Sequence, residues 1–107
     1  MAWSIPVVHA ADEDPGALRR LAEQGDAEAQ NMLGWLYRTG DGLPQDYEEA
    51  AKWFRKSSAQ GNAGAQLNLG WMHNKGEGMA RNHQEAIQWF RKSAEQGNSQ
   101  AQFNLGL

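Results

Sequence analysis

The sequence predicts an all-α, right-handed αα-solenoid, and three observations carry that reading. Residues Ala27–Asn62 recur as Ala63–Asn98 with no insertion or deletion, and 18 of the 36 aligned pairs are identical. Apolar residues inside each copy fall at helical spacing. Glycine loops separate those helical stretches at the same place in both copies. A period of this length marks an array whose units bury their apolar faces only by stacking on one another.

The elements follow in order. Asp14-Pro15 provides an N-cap and a proline at the first helical position, and a lone helix then runs over 15–25 to Gly25. Asp26 caps the next helix, near 27–38, whose residues Ala29, Met32, Leu33, Leu36 and Tyr37 form one apolar stripe. Gly40-Asp41-Gly42-Leu43-Pro44 breaks the chain. Asp46 with Glu49 then reads as a capping box opening a second helix, near 47–60, which buries Ala50, Trp53, Phe54 and Ser57. The second copy repeats this with Asn62 as cap, helices near 63–74 and 83–96, and Asn82 with Glu85 as the box. The array is thus a lone helix, full repeats 27–62 and 63–98, and a partial repeat 99–107, all within a domain spanning 14–107. Gly34 and Gly70 sit inside helices, where glycine costs about 1 kcal/mol relative to alanine. Close approach of a neighbouring helix is the expected compensation.

Composition excludes several functions. The 107 residues carry a net charge of −3, too mild to draw the chain to nucleic acid. With no cysteine there are no disulfides, thiolate metal sites or thiol catalysis. No apolar run has the ~18 residues needed to span a bilayer. Residues 1–13 form an N-terminal arm with two readings. Val8-His9-Ala10 resembles a signal-peptide cleavage site, which would make residues 1–11 the end of a leader and the protein periplasmic or secreted. Alternatively the arm, with Trp3, Ile5, Val7 and Val8, packs on the first helix of a cytoplasmic protein.

The motif Ala29-Gln30, Leu33-Gly34, Tyr37, Gly40-Asp41-Gly42, Ala50, Trp53-Phe54-Arg55-Lys56, Gln60-Gly61, repeated from Ala65-Gln66 to Gln96-Gly97, resembles the Sel1-like repeat. This family is an αα-solenoid relative of the tetratricopeptide repeat. The Gly-x-Gly loop and the 36-residue period favour it over the shorter tetratricopeptide unit. The second copy departs from the pattern at His73, where the family has tyrosine, and at Ala80, which replaces the proline found at position 44. The resemblance implies adaptor roles and no cofactor.

Candidate sites follow from helical geometry. Trp53 and Trp89 fall on the core face of the second helices. Trp35 and Trp71 lie off the apolar stripe, in a column with Asn31 and Arg38 and with Leu67 and Asn74, and Leu107 comes next. First helices line the inner face of such arrays, so these six residues are the expected binding surface for a peptide or protein partner. The basic set Lys52, Arg55, Lys56, Arg91 and Lys92 is interleaved with Glu48, Glu49, Glu85 and Glu95 and reads as a solvated outer face, with Glu48–Lys52 as an i, i+4 pair. His9, His73 and His83 have no metal-ligand spacing, and His73 with Glu77 would supply two ligands at most. No catalytic set is present: no serine sits in a nucleophile elbow and no glycine-rich loop follows a strand. The expected function is a non-catalytic interaction scaffold. The alternative is an assembly module that self-associates through its open ends, above all the half repeat carrying Ala101, Phe103, Leu105 and Leu107; a hydrolase is a weak third.

Overall fold

The computed structural model describes residues 15–106. The expected Asp14 cap, the arm with its two readings, and Leu107 lie outside them. Six helices follow in order: α1 (Pro15–Glu23), α2 (Ala27–Thr39), α3 (Tyr47–Ala59), α4 (Ala63–Lys75), α5 (His83–Glu95) and α6 (Ser99–Leu105). No strand occurs among the described residues. Helices α2 and α3 form the first pair and α4 and α5 the second, in an elongated body measuring 47 × 29 × 20 Å.

The ends of the helices are set by local chemistry. Asp26, Asn62 and Asn98 each accept a hydrogen bond from the backbone N–H three residues on, as N-caps do. Asp46 and Asn82 do the same for α3 and α5. Only half of the expected capping box forms at these two. The Asp46 N–H donates to the Tyr37 carbonyl and the Asn82 N–H to the His73 carbonyl, each at 2.8 Å, so the first helix of the pair satisfies the donor that a glutamate would have taken. Glu49 instead pairs with Lys52 at 3.0 Å, a spacing of three residues where Glu48–Lys52 was expected. Gly61 and Gly97 turn the chain between units with φ of +88° and +89°, a region that residues with a Cβ rarely adopt.

Each pair closes on a glycine. A Cβ on Gly34 would lie 2.7 Å from the Phe54 ring, and one on Gly70 would lie 2.6 Å from the Phe90 ring. Phe54 is fully buried. The mid-helix glycines therefore let each phenylalanine rest directly on helix backbone. Apolar packing then runs from unit to unit. Trp53 reaches back to Leu18, Ala22, Ala29 and Leu33, while Phe54 joins Ala65, Leu69 and Met72 of the next repeat.

Polar bonds repeat at the same period. The Ser57 hydroxyl donates to the Ala27 carbonyl and Ser93 to Ala63, both at 2.7 Å. The Gln60 amide donates to Gln30 at 2.9 Å and Gln96 to Gln66 at 2.8 Å. Gln30 also donates to the Ala22 carbonyl, so this buried side chain is bonded on both sides.

Gly34→Ala gains about 1 kcal/mol of helix propensity, yet overpacking against Phe54 should outweigh it and leave the protein about 1–2 kcal/mol less stable. Urea melts followed by circular dichroism would show this, with a larger loss for Gly34→Leu. A variant as stable as wild type would mean that α2 and α3 are not in close contact.

Candidate partner-binding groove

The first helices α2 and α4 touch each other across the repeat boundary, whereas the second helices α3 and α5 share no comparable contact. The side bearing the first helices is thus the inner one. A groove of about 470 Å³ runs along it from Leu18 to Gln100, with Asn31, Trp35 and Leu36 of α2 on one side and Gly64, Leu67 and Asn68 of α4 on the other. A second hollow of about 430 Å³ continues past Gln100 and is lined by Trp71, Ser99, Phe103 and Asn104.

The structure separates the six expected site residues. Trp35 is 47% exposed and forms a wall. Trp71 lines the second hollow but is only partly open: its ring stands edge-on to Phe90 at 5.3 Å, with the Lys75 ammonium 5.5 Å from its centre. Trp89 is also only partly covered, so the clean contrast expected between Trp71 and Trp89 is absent. Trp89 lies at the margin of its cluster beneath the Lys92 ammonium, whereas Trp53 is buried by α1 and α2. Leu67 is buried and serves as floor.

Arg38 and Asn74 are engaged within the protein. Arg38 donates through Nε to Glu77 at 2.9 Å and through Nη1 to Asn68 at 3.2 Å, bridging one repeat to the next. Asn74 bonds His83. Asn31 accepts from the Asn68 amide at 3.2 Å and still faces the groove. Glu77 is thereby taken by Arg38 and does not join His73. No group of three or more His, Cys, Asp or Glu side chains that could hold a metal occurs among the described residues.

Sequence reasoning missed Asn68, Gln100 and Asn104. Asn104 occupies the place of Asn68 one repeat later, but Leu67 stands where Asn31 would receive its amide, and its buried Nδ2 has no partner. Comparing the two copies column by column could have revealed the mismatch.

His73 replaces the tyrosine of the first copy, where the Tyr37 hydroxyl bonds Arg19. Its Nδ1 is buried and unbonded. Burial holds the imidazole below its usual range; Glu85 partly opposes this and Arg55 adds to it.

Together these features define an array of stacked helix hairpins with an open inner groove and no assembled catalytic or metal centre among the described residues. The chain belongs to the Sel1 repeat family, whose model matches residues 27–62 and 63–98. It is similar to a solved Sel1 repeat protein from Oxalobacter formigenes, with 36% identity and a TM-score of 0.77 over 87% of this chain and 70% of that one. It also resembles c5321, a protective antigen of uropathogenic Escherichia coli with an SLR fold, at 44% identity and a TM-score of 0.77. That match covers 79% of this chain and only 18% of the antigen. Helicobacter pylori cysteine-rich protein B matches at 25% identity and a TM-score of 0.73, over 78% of this chain and 63% of that one. No curated protein matches the sequence. Sel1 repeat proteins are generally protein-interaction scaffolds and typically non-catalytic. No helix among the described residues is long and apolar enough to cross a membrane.

Two predictions follow from this geometry. Arg38→Met should cost about 1–3 kcal/mol, since it leaves the largely covered Glu77 carboxylate unpaired, whereas Trp35→Ala should stay within about ±0.5 kcal/mol. Denaturant melts of the two variants side by side would separate the structural residue from the available one. For His73, the unfolded chain binds its proton at higher pH than the folded protein does. Stability should therefore fall as pH drops below the ordinary histidine value of about 6.5 toward the lowered folded value. His73→Tyr, which places a hydroxyl near Arg55 as Tyr37 is placed near Arg19, should remove that part of the dependence in melts taken across this range.

Proposed function

We propose that this protein is a non-catalytic scaffold whose inner groove binds an extended, partly apolar peptide segment of a protein partner. Trp35 carries the reading. A large aromatic ring left about half open beside an apolar floor is costly to expose and is suited to gripping a side chain. Trp71 and the unpaired amide of Asn104 would extend the grip into the second hollow, and Asn31 and Gln100 would supply hydrogen bonds at the junction. Arg38, Asn74 and Leu67, also expected at the site, would act by holding the walls and floor in place.

Selection of displayed random peptides against the wild-type protein should enrich apolar or aromatic sequences. Their affinity should drop at least about tenfold for the Trp35→Ala/Trp71→Ala variant, roughly what losing one anchoring side chain costs. Peptides that bind the double variant as tightly as wild type would place the binding surface elsewhere.

A further inference from the structure

Four tryptophans lie among the described residues, and three of them carry a cation supplied by the chain itself. The Lys56 ammonium stands 5.2 Å from the ring centre of Trp53, Lys92 stands 4.5 Å from Trp89, and Lys75 stands 5.5 Å from Trp71. At such distances a cation is drawn to the negative face of an indole. Trp35 has no such partner among the described residues, although it is the most exposed of the four.

The two copies show how the difference arises. In register with Trp71, Lys75 and Glu77 stand Trp35, Thr39 and Asp41. Threonine brings no charge, and its hydroxyl is turned to the backbone. It donates to the Trp35 carbonyl at 2.9 Å and accepts from the Asp41 N–H at 3.2 Å, tying the loop that carries Asp41 to the turn that carries Trp35. Arg38, one residue before Thr39, is held by Glu77 and Asn68. Glu77 thus has its cation, while the Asp41 carboxylate forms no ion pair with any described residue. Residues 1–14 contain no lysine or arginine that could supply one. Trp35 and Asp41 both line the groove between α2 and α4, in the interior of the array. Asp41 is the sole charged residue in that lining; the other side chains there are apolar or carboxamide.

We infer that this stretch of the groove is a subsite for a basic side chain, lysine or arginine, of the bound peptide. Its cation would lie over the open face of Trp35 and pair with Asp41, so that the partner supplies what Lys75 supplies to Trp71 within the chain. The apolar stem of such a side chain suits the Leu36 and Leu67 surfaces beside it. The inference rests on the groove reading and adds to it the charge and the place of one bound residue. The Trp71 hollow already holds Lys75 and would repel the same residue, which sets the direction in which the peptide lies.

The test uses peptides selected from a random displayed library on the full wild-type chain, with affinities measured by titration calorimetry. The selected peptides should share a lysine or arginine at one fixed distance from their apolar residues. Asp41→Asn, at an exposed loop position, should weaken them about two- to fivefold, as loss of an exposed ion pair does. The same substitution should leave unchanged the affinity of peptides whose basic residue is replaced by norleucine. Thr39→Lys, which places the chain's own ammonium over Trp35 as Lys75 is placed over Trp71, should remove the preference for the basic residue. Two results overturn this inference while leaving the groove reading intact, in peptides that still lose affinity for the Trp35→Ala/Trp71→Ala variant. One is the lack of a shared basic residue; the other is binding by Asp41→Asn or Thr39→Lys as tight as by wild type. Peptides that the Trp35→Ala/Trp71→Ala variant binds as tightly as wild type, or a library from which nothing is enriched, overturn both.

Discussion

The contact on which the rest of the structure depends is a phenylalanine ring lying on helix backbone where a side chain is missing. Gly34 receives Phe54 and Gly70 receives Phe90, with no room for even a methyl group. This contact brings the two helices of a pair close enough for the Ser57 and Ser93 hydroxyls to reach the opening carbonyls of α2 and α4. It also sets the buried glutamine pairs in reach. Glycine costs helix propensity at these positions, and the buried ring offsets that cost through close packing.

Fixing the pair fixes the inner face, and residues there divide by what they are bonded to. Asn31, Asn68, Arg38 and Glu77 form a polar chain that locks one first helix to the next. Asn68, Arg38 and Glu77 are largely spent on the fold, and the Arg38–Glu77 charges are partly shielded from water, so these three act as struts. Trp35 touches the same groove without such commitments. A surface built this way can change its exposed side chains to suit a partner while its framework stays the same, which suits a family of interaction scaffolds.

Near-identical repeats also make small departures informative. Leu67 in place of Asn31 deepens the apolar floor but strands the amide of Asn104 one repeat later. His73 in place of Tyr37 exchanges a hydroxyl bonded to arginine for a buried, unbonded ring nitrogen. Each change leaves the helix frame intact and alters only the chemistry presented by one boundary.

The sequence by itself determined the helices and their pairing. The duplicated Ala-Gln, Leu-Gly and Trp-Phe positions, the Asx caps and the glycine turns are local signals, and a helix boundary depends on residues within one turn of it. Gly34 and Gly70 even announced a close contact, because glycine inside a helix needs a tertiary reason. Only the tertiary structure decided which polar groups were free. Arg38 shares a helical face with Trp35, and Asn74 with Trp71, yet their partners come from loop and helix positions in another element. The same holds for Trp71 and Trp89, whose exposure differs less than their helical positions suggest because each meets neighbours that a wheel cannot show. Helical spacing gives the direction of a side chain; only the packed neighbours determine whether it is still available.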